Sequence, residues 1–196
     1  ESASNQLDSV AIADEKFCNL CGTANKNGAV DGRFKCCDST PFGRTLYKVL
    51  AYDHRAFRNE SCLILSSDKA LASRLGDRMF RVAGFYSKEE SLMSHLDARQ
   101  VEQYGLVVAD MDCIGRADFT IDEELSIIAT LRNRLLIGGI LVFAPKSEGE
   151  LINSIINDKL SGIVLERLGN VEVLNRMVSG CLVEDWRPLI VINRNS

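Results

Sequence analysis

The chain has no apolar run near the ~18 residues that a membrane span needs, and only three prolines among its 196 residues. Its first ten residues, ESASNQLDSV, lack the basic segment followed by an apolar one that a signal peptide requires. A formal charge of −4 leaves no excess of basic residues, so neither nucleic acid nor an anionic membrane is an expected partner. Only two histidines are present, His54 and His95, and neither sits in a recognisable nucleophile or base motif. G-x-S-x-G, a Walker loop and HExxH are all missing. So are internal repeats and low-complexity tracts.

What remains is 46% hydrophobic, enough for one domain of ordinary size with a real core and a small appendage. The most regular stretch is 104–145. It opens with YGLVVADMD, a short apolar run ending in Asp110 and Asp112, as a buried parallel strand does when its carboxyl end carries polar groups. In the next run Leu125, Ile128, Ala129, Leu131, Leu135 and Leu136 fall near helical spacing. Arg132 and Arg134 lie toward the negative end of that helix dipole. Gly138 and Gly139 are expected to stop the helix, and Ile140 to Phe143 to form a second apolar strand. Strand, helix, turn and strand make one βαβ unit of a parallel sheet.

The same reading extends outward. Residues 42–57 form an amphipathic helix with Leu46, Val49, Leu50 and Phe57 on one side. CLILSS (62–67) is a buried strand, and Asp68 is placed to cap a helix beginning KALASRL. RVAGFY (81–86) is a second strand, and Ser87 with Glu90 has capping-box spacing. A helix is expected after Pro145, and late β segments around Trp186 close the sheet antiparallel. The fold class is therefore α/β, a Rossmann-like, doubly wound and mostly parallel sheet with late antiparallel strands. The expected division is a mobile lead-in (1–16), a Cys-rich segment (17–40) and the sheet domain (41–196).

The Cys-rich segment is the most specific chemical signal. Cys62, Cys113 and Cys181 sit singly in or beside apolar runs, as buried thiols do. Cys18, Cys21, Cys36 and Cys37 cluster within twenty residues. A reducing, cytoplasmic setting suits both groups better than a disulfide framework. Cys18-x-x-Cys21 with Gly22 behind it is the turn that brings two thiolates to one tetrahedral ion. The segment is too poor in apolar residues to build its own core, so it needs such a staple. Its turn signals, KNG and VDG, suggest a hairpin or knuckle. A structural zinc site on Cys18, Cys21 and the Cys36–Cys37 pair is the favoured reading. The fourth ligand is left open between Cys36, Asp38 and His54. An emptied site with free thiols and a redox pair are the alternatives.

Open parallel sheets bind ligands outside the carboxyl ends of their strands, which points to Ser66, Ser67 and Asp68 after the first strand and to Asp110–Asp112. The first loop lacks the glycines that let a backbone approach a pyrophosphate or adenosyl group, but offers two hydroxyls, an acid and a helix N-terminus. Simple helix capping is the competing role for Ser67 and Asp68, and strand-end solvation for Asp110 and Asp112.

Through CNLCG (18–22), CCDSTPFGRTLYKVL (36–50), CLILSSDKALASRL (62–75), YGLVVADMD (104–112) and LRNRLLIGGILVFAP (131–145), the chain resembles class I S-adenosylmethionine-dependent methyltransferases of bacterial type with an N-terminal zinc knuckle. That resemblance implies S-adenosylmethionine as cofactor and zinc in the knuckle. Ser66, Ser67 and Asp68 would line the cofactor's methionine part, Tyr86–Lys88 including Ser87 the ribose, Asp97 the adenine, and Asp110–Asp112 the transferred methyl. The acceptor, a small molecule or a protein, is not specified by the sequence. The ribose-binding acid expected after the second strand is replaced by Gly84-Phe85-Tyr86-Ser87. This departure, with the glycine-poor first loop, keeps a second reading alive, a catalytically inactive module of the same fold that binds a protein partner. A receiver-like signalling domain is the third reading, but the paired acids after the first strand and the late Lys-Pro are missing.

Overall fold

Every second residue of the four inner strands faces one apolar layer, and its neighbours face another. The computed structural model describes residues 18, 20–23, 29–30, 33–34, 37–50, 61–77, 81–85, 102–111, 120–145, 151, 170–174 and 189–194. Within them β1 (Ala29–Val30) and β2 (Arg33–Phe34) pair antiparallel as a small two-stranded sheet. Then follow α1 (Pro41–Lys48), β3 (Ser61–Leu65), α2 (Lys69–Gly76), β4 (Arg81–Phe85), β5 (Tyr104–Asp110), α3 (Ile121–Asn133), β6 (Leu135–Ala144), β7 (Asn170–Leu174) and β8 (Leu189–Asn193).

The large sheet has six strands in the order β4-β3-β5-β6-β8-β7. β4, β3, β5 and β6 are parallel, β8 runs antiparallel to β6, and β7 antiparallel to β8. The expected doubly wound sheet with late antiparallel strands is what forms. The chain runs from β3 outward to β4 and then returns to β5 on β3's other side. The strand order therefore reverses between β3 and β5, and a crevice opens at such a reversal.

Alternation along the strands sorts the core into two layers. Leu63, Leu65, Val107, Ala109, Leu141, Phe143, Ile190 and Ile192 pack with Leu125, Ile128 and Leu131 of α3. Cys62, Ile64, Leu106, Val108, Val142, Ala144, Leu189 and Val191 pack on the other face with α1 and α2. There Leu46, Leu50, Leu71 and Leu75 are fully buried, and each contributes about 1.5–3 kcal/mol of transfer free energy. Cys18 and Leu20 belong to this second layer, so the knuckle docks on the face that carries α1 and α2.

One boundary differs from the sequence reading. α3 ends at Asn133 with Arg134 as its C-cap, and Gly138 and Gly139 do not stop it. Arg134 carbonyl accepts from Tyr104 N–H at 2.8 Å, and Leu135 pairs with Tyr104 in the sheet. The ladder thus claims Leu135, which is fully buried, before helical periodicity runs out. Between the Tyr104–Leu135 and Leu106–Ile140 pairs, residues 136–139 of β6 lie opposite Gly105 alone. The excess folds out as a bulge with Gly138 at φ +78°, and Ile137 is 76% exposed. Gly139 is the tight point, since a Cβ there would stand 2.8 Å from the Leu136 carbonyl. The predicted helix after Pro145, the region of Ser87–Leu96 and the end of the 42–57 helix lie outside the described residues, apart from Leu151, a fully buried helical residue.

Cys62 lies at 0% exposure in the centre of β3, and burial pushes its thiol far up from the ordinary range. In the folded chain it stays protonated where the unfolded chain would ionise. Stability from this group is therefore complete below about pH 8.5 and is lost as pH rises above it. The slope approaches about 1.4 kcal/mol per pH unit. Urea midpoints from pH 7 to 10 should fall more steeply for the native chain than for Cys62→Ala. Parallel curves would show that Cys62 does not carry this alkaline loss.

Candidate functional site

The rim of the sheet at the carboxyl ends of β3 and β5 is set by ladder register. Leu65 pairs with Ala109, so Ser66 and Asp110 leave the sheet side by side. Both are buried, Ser66 at 1% and Asp110 at 4% exposure. Asp110 also pairs with Ala144 of β6, which places it at the centre of the rim. Ser67 is exposed beside them. Ser87, Asp97 and Asp112, with Tyr86 and Lys88, lie outside the described residues.

Asp68 has a larger structural part than helix capping alone. Its Oδ1 accepts from Leu71 N–H at 2.9 Å and caps α2. Its Oδ2 accepts from Thr40 N–H at 2.9 Å and from the Thr40 hydroxyl at 2.6 Å. Thr40 is itself the N-cap of α1, its Oγ1 accepting from Gly43 N–H at 2.9 Å, with Pro41 in the first turn. One buried carboxylate therefore stands at the amino ends of two helices, where the dipoles favour a negative charge. The loop closes behind it through Asp68 N–H donating to Ser66 Oγ at 3.2 Å. The competing role named for Asp68, helix capping, thus takes Oδ1, and Thr40 takes Oδ2.

Gly43 makes this arrangement possible. A Cβ on Gly43 would lie 2.0 Å from Asp68 Oδ2 and 2.7 Å from its Cγ. The carboxylate fills the space that any side chain there would need. Sequence reasoning missed Ser39, Thr40, Gly43 and Arg44 as parts of the site. Thr40-Pro41 was the available signal, an N-cap and a helix start one position before the one read from periodicity.

The cysteines assemble next door. Cys18, Cys21 and Cys37 bring their sulfurs within 4.8 Å of one another, and Cys18 and Cys37 are 3.5 Å apart. These are free thiols rather than a disulfide, whose sulfurs would be about 2.05 Å apart. The spacing suits one tetrahedral ion, since Zn–S bonds of about 2.3 Å give an S···S edge of roughly 3.8 Å. The turn is built as expected, with Gly22 at φ +74° and Gly22 N–H donating to the Cys18 carbonyl at 2.8 Å. Cys37 joins the cluster; Cys36 lies outside the described residues, as does His54. Asp38, with φ +56°, is exposed and stands apart from the three sulfurs.

Ser39 joins the two halves. Its Oγ accepts from the Cys37 thiol at 3.1 Å and lies 3.6 Å from Cys18 Sγ. Arg44 Nη1 donates to the Ser39 carbonyl at 2.6 Å and to its Oγ at 3.2 Å. Ser39 and Arg44 are both buried, at 0% and 3% exposure. Burial pushes the Cys37 thiol up from its ordinary value, which favours the neutral form until a cation is present. Outside the cluster, Arg74 of α2 pairs with Asp77 at 3.3 Å and lies 6.0 Å from the Tyr47 ring of α1.

No family model and no curated protein matches the chain. Among solved structures it is similar to the T. thermophilus 16S rRNA N2 G1207 methyltransferase RsmC, crystallised with AdoMet and guanosine. The TM-score is 0.50 and the identity 16%, over 83% of this chain and 45% of that one, so the chain spans less than half of that enzyme. It is similar also to the N-methyltransferase NodS from Bradyrhizobium japonicum, with a TM-score of 0.50 and 14% identity over 81% of this chain and 99% of that one. No helix among the described residues is long and apolar enough to cross a membrane.

Replacing glycine by alanine inside a helix ordinarily stabilises by roughly 0.5–1 kcal/mol. For Gly43→Ala we expect the opposite, a loss of about 1–3 kcal/mol in urea unfolding, because the Asp68 carboxylate is displaced from its donors. In an Asp68→Ala background the same change should be neutral or stabilising. A higher melting temperature for Gly43→Ala in the native background would refute the packing described. The chain has the fold of S-adenosylmethionine-dependent methyltransferases, with a three-cysteine cluster beside the rim at the carboxyl ends of β3 and β5.

Proposed function

We propose that the chain binds S-adenosylmethionine on the rim between β3 and β5 and transfers its methyl group to a small-molecule or protein acceptor. The observation that carries this reading is the placement of Ser66 and Asp110 at the carboxyl ends of adjacent parallel strands, at the point where strand order reverses, in a chain of methyltransferase fold. When bound, the cofactor supplies an electrophilic methyl on a positively charged sulfur. Its transfer is an in-line displacement, so alignment of donor and acceptor and exclusion of water are the protein's main contributions. Among the described residues of the rim, Ser66 and Asp110 are buried, which suits that role. Ser66 Oγ already accepts from Asp68 N–H and keeps a proton to donate. Asp110 offers an anion for the ligand's amine or for a donor on the acceptor. In this reading Asp68 shapes the loop, and Ser67, Ser87, Asp97 and Asp112 supply further polar contacts. The charge of −4 favours an acceptor other than nucleic acid.

One observation favours the second reading, a module of the same fold that binds a protein partner without catalysis. Both oxygens of Asp68 are spent on the chain itself, and the loop has no glycine to bring its backbone against a ligand. Calorimetry with S-adenosylhomocysteine separates the two. Saturable heat and a raised melting temperature are expected, with a loss of at least about tenfold in affinity for Asp110→Asn, about 1.4 kcal/mol. Neither heat nor thermal shift at millimolar ligand would leave the partner-binding module as the better account.

For the knuckle the proposal is a structural zinc ion held by Cys18, Cys21 and Cys37, with a fourth ligand to be drawn from Cys36 or His54. The support is the fit of the three sulfurs to a tetrahedron and the shortage of other core in residues 17–40. Elemental analysis of the purified chain should give about one zinc per molecule. Cys37→Ser should lose the metal and lower the melting temperature, while Cys62→Ser should keep it. Zinc retained in full by Cys37→Ser would remove Cys37 from the ligand set. Because thiolates are the ligands, affinity should fall as pH falls and protons compete.

A further inference from the structure

We infer that Asp68 is a positioning residue that couples the cysteine cluster to the ligand rim, so that a divalent metal on Cys18, Cys21 and Cys37 and the cofactor on β3–β5 strengthen each other's binding. The cofactor half of this inference rests on the reading above; the metal half stands on the cluster alone.

The path between the two sites is short. Without metal, Cys37 donates its thiol hydrogen to Ser39 Oγ at 3.1 Å, and Cys18 lies 3.6 Å from the same oxygen. As a metal-bound thiolate, Cys37 would instead accept from the Ser39 hydroxyl. Ser39 is fixed from behind by Arg44, which holds both its carbonyl and its hydroxyl. Neither Ser39 nor Arg44 has water to fall back on, being 0% and 3% exposed. A buried donor or acceptor that loses its partner is costly, so displacement of one member is resisted by the others. The next residue, Thr40, places two donors on Asp68 Oδ2. Asp68 in turn reaches Leu71 N–H with Oδ1 and, through its own N–H, Ser66 Oγ. Ser66 is the rim residue beside Asp110.

Gly43 makes this linkage stiff. A carboxylate that shifted along the first turn of α1 would leave three donors unpaired, and the absent side chain at Gly43 defines the one place it fits. A metal that fixes Cys37 relative to Cys18 narrows the positions open to 37–40, and with them those of the Asp68 carboxylate. A ligand meeting an already ordered rim has less ordering entropy to overcome. By thermodynamic reciprocity, the ligand must raise metal affinity by the same factor. The coupling needs no large movement, only a shared carboxylate.

The test uses the full chain, kept reduced. S-Adenosylhomocysteine is titrated calorimetrically into zinc-loaded and chelator-stripped protein. Zinc affinity is measured by competition with a chromophoric chelator, with and without saturating S-adenosylhomocysteine. We expect both affinities to rise by the same factor, about fivefold or more. Equal affinities in the two states overturn the coupling. Zinc affinity alone gives an arm independent of the cofactor. Asn at position 68 can still cap α2 through Oδ1, but its amide nitrogen faces the two Thr40 donors. Asp68→Asn and Thr40→Val should therefore weaken zinc about fivefold or more, and Thr40→Ser should restore it. Leu131→Ala, in the layer on the other face of the sheet, serves as the control, lowering the melting temperature with zinc affinity unchanged. Unchanged zinc affinity in Asp68→Asn, or an equal loss in Leu131→Ala, sinks the positioning role. Zinc-loaded protein that gives no heat with S-adenosylhomocysteine sinks the proposed function instead, and the zinc measurements still decide the metal half.

Discussion

A single carboxylate shared by two helices holds the working side of this molecule together. α1 and α2 both begin beside Asp68, and each presents unpaired N–H groups and the positive end of its dipole there. Two such ends would repel without an anion between them. Asp68 supplies it and satisfies three donors in a space from which the Cβ of residue 43 is missing. The cost of burying a charge is met because every strong interaction it makes is charge-assisted. The loop after β3 is thus shaped by a side chain rather than by glycine. Its backbone is held in place by groups from a segment 28 residues earlier.

That construction explains why the knuckle sits where it does. Residues 17–40 have few apolar side chains, yet Cys18 and Leu20 are at 0% and 2% exposure because they enter the layer already formed by α1, α2 and the sheet. The three sulfurs then gather at the edge of that layer, with Cys18 inside, Cys37 half-buried and Cys21 exposed. A metal there would bind a segment whose other attachments include the Ser39–Arg44 contacts and the Thr40–Asp68 hydrogen bonds. The cluster and the rim are neighbours because one short run, Cys37 to Thr40, contributes to both.

The inner strands were legible because each is an apolar run bounded by polar residues. β5, buried at all seven positions, reads from YGLVVAD without ambiguity. The cap at Asp68 was legible for the same local reason, an acid just before an apolar-periodic run. Its second role was not, since Thr40 lies 28 positions away and nothing in either stretch announces the other. The start of β6 was misread because Leu135 and Leu136 continue the spacing of α3. Periodicity is blind to the ladder, in which Tyr104 competes for Leu135. Gly138 and Gly139 then looked like a helix stop, whereas their task is a bulge with a positive φ and a close backbone contact. For the cysteines, the spacing gave Cys18 and Cys21 directly. Cys36 and Cys37 are chemically identical in the sequence, and it is the path of the chain into Ser39 and Thr40 that brings Cys37 to the other two sulfurs.

A loop held in this way differs in kind from a glycine-rich one. Glycine loops let a backbone close around a ligand and draw their affinity from N–H groups aimed at it. Here the first N–H groups of α2 are partly taken, Leu71 by Asp68 Oδ1, and the Asp68 N–H is directed to Ser66 Oγ. The side chains at this rim, the Ser66 hydroxyl and the Asp110 carboxylate, are placed by strand register rather than by a flexible turn. Groups placed by register keep their spacing without a ligand. How firmly Asp68 holds Ser66 is set by the two donors of Thr40 on its carboxylate and by the absent side chain at Gly43.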